Sequence, residues 1–150
     1  MNKNKIILVV EDSDEDFAAL TRVINESGIT QQITRACDGD DALDYLYHEG
    51  AYADPKSAPR PAIILMDLNL PGTDGREVIQ QVKQDDRLKE IPIVAFTTSS
   101  NARDIEACYS YGVNSYMLKP MGVALLRETI RELFNYWLKY ALLPSDMDNN

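Results

Sequence analysis

Residues 63–75 read IILMDLNLPGTDG, and the order of chemistry in this stretch decides the fold. Four apolar residues lead into one carboxylate, Asp67. Asn69, Pro71, Gly72 and Gly75 follow at turn positions. A short unbroken apolar run bounded by turn signals suits a strand covered on both faces. A carboxylate at its end, with a turn directly after, places charge at the rim of a buried sheet.

The rest of the chain repeats that grammar. Residues 6–10 (IILVV) form a second continuous apolar run, and 32–36 a weaker one. Residues 62–66, 91–96 and 113–118 complete five predicted strands. Between them lie helical spacings. Phe17, Leu20, Val23 and Ile24 follow a start that Ser13 or Asp14 can cap; Ala42, Leu43, Leu46 and Tyr47 mark the second helix. Val78, Ile79 and Val82 mark the third, residues 102–111 the fourth, and residues 122–142 an extended last helix. Residues 51–61 are a Pro/Ala-rich loop. Strands alternating with helices define an α/β class with a mostly parallel sheet. We expect one domain over residues 1–143 and an unstructured tail over 144–150.

Composition narrows the function. A formal charge of −9 and a pI near 4.5 argue against nucleic acid or anionic lipid as the main partner, since phosphate backbones call for Lys/Arg clusters. The N-terminal apolar run is too short for a signal peptide or a membrane span. Cys37 and Cys108 show no CxxC spacing, which suits reduced thiols in a cytoplasmic protein.

In an open parallel sheet, sites form at the carboxyl ends of the strands. Glu11 and Asp12 end the first strand, Asp67 the third, Thr97 and Thr98 the fourth, and Lys119-Pro120 the fifth. Three carboxylates at one rim repel and need a cation. They offer only oxygen, which suits Mg²⁺ or Mn²⁺ and disfavours zinc. His48, the only histidine, falls at the end of the second helix and reads as structural. A carboxylate beside a metal can act as a nucleophile toward phosphorus, with Lys119 neutralising a phosphoryl oxygen and a Thr97 hydroxyl donating to another. The pattern points to phosphoryl transfer onto one of the acids.

The segments VVEDSDED, LMDLNLPGTDG, FTTSS and YMLKP, in this order, resemble the receiver domains of two-component response regulators, the CheY-like family. The resemblance spans about residues 5–140. It implies a doubly wound five-stranded parallel sheet of order 2-1-3-4-5, an order known for that fold. It also implies that Asp67 accepts phosphate from a sensor histidine kinase. Glu11, Asp12, Asp67 and the backbone carbonyl of Asn69 would hold Mg²⁺, and Lys119 would bind the phosphoryl group. Thr97 and Tyr116 would be a switch pair that alters the surface of helix four, strand five and helix five. Thr98 competes with Thr97 by proximity, but alternation past Phe96 sends the two in opposite directions. Beyond metal-dependent self-phosphorylation and slow autodephosphorylation, no enzymatic activity is implied. Glu11 stands where many receivers carry Asp, and Ser99 where a longer residue is common.

The insertion before strand three, PGTDGREV and FNYWLKYALLP resemble Rcp-type regulators, which partner phytochrome histidine kinases in cyanobacteria and are known to form dimers. This implies a homodimer through the C-terminal half. Leu126, Ile130, Leu133, Trp137 and Leu138 should face the sheet, whereas Tyr136, Tyr140 and Leu143 lie partly off that stripe, as extra core or as a partner surface. Other readings fit less well. A haloacid-dehalogenase-type phosphatase needs a second acid where Asn69 stands. In a flavodoxin-like flavin protein, EDSDED would repel the phosphate. A docking receiver that is never phosphorylated would not need the full residue set.

Overall fold

The computed structural model describes residues 5–147. Five parallel strands are flanked by helices: β1 (Ile6–Val10), α1 (Asp14–Glu26), β2 (Gln32–Ala36), α2 (Gly39–Tyr47), β3 (Ile63–Met66), α3 (Gly75–Gln84), β4 (Ile93–Thr97), α4 (Ala102–Ser110), β5 (Ser115–Leu118) and α5 (Val123–Phe134). The sheet order is β2-β1-β3-β4-β5, as expected. Two short 3₁₀ turns, Gly50–Tyr52 and Pro55–Ser57, occupy the Pro/Ala-rich loop.

The unbroken apolar strands are explained by two cores. Leu8, Val10, Ile64 and Met66 point to one face and pack with Ala42, Val78, Ile79 and Cys108 of α2, α3 and α4. Ile7, Val9, Ile63 and Leu65 point to the other and pack with Leu20, Val23, Ile24, Ile130 and Phe134 of α1 and α5. With period-two alternation and both faces covered, every central position is apolar. β2 is an edge strand and only partly buried, hence its weaker pattern.

Ser13, Asp38, Asp74 and Asn101 cap α1 to α4 with side-chain oxygens. His48 ends α2 in the left-handed region at φ 56°, and its Nε2 hydrogen-bonds the Ala58 carbonyl, a structural role.

The C-terminal region corrects two expectations. The last helix is not continuous to residue 142: after Phe134 it widens into a π-helical turn, Asn135–Tyr140, closed by Ala141 N–H donating to the Tyr136 carbonyl at 2.7 Å. Leu138 is buried there, while Tyr136 and Tyr140 face outward. Nor is the tail unstructured from 144: Pro144–Met147 is a short helix, α6. The buried Lys5 ammonium requires a counter-charge, and Asp146 supplies it. Asp146 also accepts the Leu143 N–H at 2.7 Å. Leu143 itself is buried, so it is core rather than partner surface. Residues 148–150 lie outside the described region. Leu143→Ala should cost about 2 kcal/mol in urea unfolding, the lower range for a truncated core leucine; an unchanged midpoint would place Leu143 outside the core.

Candidate functional site

Strand register assembles the site. Val10 and Ala95 both pair with Met66, and Thr97 pairs with Leu118. The residues that follow these pairs therefore meet at one rim. Backbone bonds carry the ladder past the strand ends: Glu11 N–H to Ala36 O at 3.0 Å, Asp67 N–H to Val10 O at 3.1 Å, and Lys119 N–H to Thr97 O at 2.8 Å. These bonds fix the position of each functional side chain from a buried strand.

Carboxylate oxygens of Glu11, Asp12 and Asp67 lie within 4.8 Å of one another. Glu11 and Asp67 are buried and Asp12 is exposed. Lys119 Nζ donates to Glu11 and lies 3.2 Å from an oxygen of Asp67 and 3.2 Å from one of Asp16. Burial pushes the Glu11 carboxyl up to about 7, against the pull of the Lys119 hydrogen bond and with the Asp67 charge adding to the rise. Burial also disfavours the charged Lys119, yet its bond to Glu11 and the field of Asp67 hold its pKa above the ordinary lysine value. A buried acid with so raised a pKa is short of positive charge. The donor set is all oxygen and suits a hard divalent cation.

Without metal, folded Glu11 keeps its proton from its ordinary 4.5 up to about 7, where the unfolded chain has lost it. This group's contribution to stability therefore falls as pH rises through that window. A divalent cation must displace that proton. The rise in melting temperature on adding Mg²⁺ or Mn²⁺ should thus be larger at pH 8 than at pH 6, as thermal unfolding at fixed metal concentration will measure. An equal rise at both pH values would remove Glu11 from the ligand set.

Thr97, the last residue of β4, is fully buried, and Thr98, past the strand end, is exposed. Ser99 N–H donates to Thr97 Oγ1 at 3.4 Å, and the Tyr116 hydroxyl donates to the Ser99 carbonyl at 2.8 Å. The Tyr116 ring packs partly against the α2–α4 core. Asn69 sits exposed on the turn after Asp67. That turn is drawn tight by Leu70 and Gly75 N–H groups, both donating to Leu68 O at 3.1 and 3.0 Å. Asp74 caps α3, as expected.

Two features were not foreseen. Asp16 is a further acid on Lys119, on the first turn of α1, and its N–H donates to the Ser13 hydroxyl that caps the helix. Ser99, Asp104 and Arg76 form a linked set. Ser99 Oγ donates to Asp104 at 2.6 Å and Arg76 Nε donates to Asp104 at 2.8 Å.

Residues 7–131 match the response regulator receiver domain. The chain belongs to that family. Among its curated relatives, this receiver is 39% identical over 144 residues to the response regulator Rcp1 of Synechocystis sp., covering 96% of each chain. It is 41% identical over 140 residues to the probable methanogenesis regulatory protein FilR2 of Methanothrix harundinacea, covering 93% of this chain and 87% of that one. Among solved structures, the phosphorylated cyanobacterial phytochrome response regulator RcpA superposes with a TM-score of 0.88 at 38% identity, over 94% of this chain and 99% of that one. The Mn²⁺-bound form of Rcp1 superposes with a TM-score of 0.86 at 39% identity, over 93% and 99%. The receiver is thus closely related to phytochrome response regulators. Among the described residues, no helix is long and apolar enough to cross a membrane.

Proposed function

We propose that this receiver accepts a phosphoryl group on Asp67 from a phosphohistidine of a sensor kinase and signals through a changed surface of α4, β5 and α5. One observation carries the reading: a buried strand-end carboxylate, Asp67, stands 3.2 Å from the Lys119 ammonium within a cluster of two further acids. Glu11, Asp12, Asp67 and the Asn69 backbone carbonyl would hold Mg²⁺ or Mn²⁺, which when bound neutralises phosphoryl oxygens. An Asp67 oxygen attacks phosphorus, a P–O bond forms, and the P–N bond to the imidazole breaks. Lys119 keeps its proton and pairs with a second phosphoryl oxygen; Thr97 donates its hydroxyl to a third. The acid gains about one unit of negative charge. Thr97 moves toward it, and Tyr116 occupies the space behind.

A phytochrome-type kinase is the partner we favour, on the strength of Rcp1 and RcpA. Phosphotransfer from each histidine kinase of the source genome tests it: transfer within seconds, dependent on a divalent metal, identifies the partner. A kinase unrelated to phytochromes as the sole fast donor would overturn that assignment. A homodimer through the C-terminal half is supported by exposed Leu118, Met121, Leu125, Tyr136 and Tyr140 along β5, α5 and the π-turn. Sedimentation at micromolar concentration, with and without phosphorylation, should show the dimer mass; monomer throughout would overturn it.

A further inference from the structure

Ser99 is a hub on the loop between β4 and α4. Its carbonyl takes the Tyr116 hydroxyl, its N–H reaches Thr97 Oγ1, and its own hydroxyl is committed to Asp104 on α4. Asp104 is held from the other side by Arg76 Nε, and the Arg76 guanidinium also bonds both Asp74 oxygens at 2.7 Å. Arg76 is the second residue of α3, and α3 begins hard against the phosphoacceptor. A Cβ at Gly75 would lie 2.2 Å from the Asp67 carbonyl oxygen. The side chains of Arg76 and Asp104 are 26% and 20% exposed, so water screens their contact only in part. The Arg76 bond, followed by the Ser99 bond, holds the Asp104 carboxyl below the usual carboxylate range.

We propose that Asp104, clamped by Arg76, is a positioning residue: it fixes the Ser99 loop in the conformation that receives Tyr116 and ties that loop to the backbone beneath Asp67. It touches neither the reacting atoms nor the acid cluster. Two sources of bias then act on the Tyr116 ring: the Thr97 side beside the acid, and the α3 side through Arg76, Asp104 and Ser99. The proposal rests on the reading of Thr97 and Tyr116 as the switch pair.

The test uses the full chain, with tyrosine-ring NMR signals assigned to Tyr116 by Tyr116→Phe and the Trp137 indole as a control on the opposite core. Asp104→Ala should lower the population with Tyr116 on the Ser99 carbonyl about fivefold, a typical weight for one position in such a network. Arg76→Ala should do the same, and the double variant no more than the larger single effect. Asp104→Asn, which keeps an acceptor for Ser99 but loses the ion pair, should fall between. An unchanged Tyr116 signal in Asp104→Ala, additive single effects, or an equal disturbance at Trp137 would each overturn the proposal. Beryllofluoride with Mg²⁺, an acyl-phosphate mimic, separates the two layers. A wild-type Tyr116 signal indifferent to it overturns the switch reading and this proposal with it. A responsive wild type beside an unchanged Asp104→Ala overturns this proposal alone.

Discussion

Asp67→Asn is expected to take no hydroxylamine-sensitive phosphate from a phosphorylated kinase, a fall to background. The carboxylate is the only group at that strand end able to attack phosphorus, and an amide of the same shape has no comparable nucleophilicity. The variant should fold, because the Asp67 N–H to Val10 bond and the β3 core are untouched. It should also lose one of the repelling acids around Lys119, so its urea midpoint should match or exceed that of the parent. Label retained on the variant would move the acceptor to Glu11 or Asp12. Label lost together with the fold would show up in the same urea curve and be read as such.

Gly75→Ala should be strongly damaging for a single added methyl group. At that position a Cβ would lie 2.2 Å from the Asp67 carbonyl oxygen and 2.7 Å from the Leu68 Cα, both main-chain atoms that no rotamer change can move. Either α3 lifts from the sheet or the Asp67–Leu68 peptide shifts, and the Gly75 N–H bond to Leu68 is strained in both cases. Overpacking of this kind costs about 3 kcal/mol, reduced slightly by the better helix propensity of alanine. Because the displaced atoms carry Asp67, the proposed acceptor, phosphotransfer should slow even where the variant is fully folded. Chemical denaturation and single-turnover transfer on one preparation check both effects. Unchanged values in both would mean that α3 does not rest on the acceptor backbone as described.

These two outcomes also mark how far the sequence could be read. The rim was legible because a parallel sheet concentrates chemistry at strand ends, and Glu11, Asp67, Thr97 and Lys119 each follow a recognisable apolar run. Thr97 was separable from Thr98 by its spacing within the family motif; alternation gives the two opposite directions but does not say which is the switch. The π-turn after Phe134 was not legible, since Trp137 and Leu138 fit an α-helical stripe equally well. The helix at 144–147 depends on a charge pair between Lys5 and Asp146, at opposite ends of the chain, and composition alone favoured a loose tail. The bond between Arg76 and Asp104 spans 28 residues of chain, and no local pattern announces it.

The acceptor that holds the Tyr116 hydroxyl is a main-chain oxygen, that of Ser99. Every residue type carries the same atom, so the landing oxygen itself survives any substitution at position 99, whereas the hydroxyl that ties the loop to Asp104 does not. A substitution there that loses the hydroxyl should loosen the docking without removing its acceptor. A one-residue deletion or insertion between Thr97 and Asn101 would carry that oxygen out of reach. Selection at this loop should therefore act on its length before its spelling.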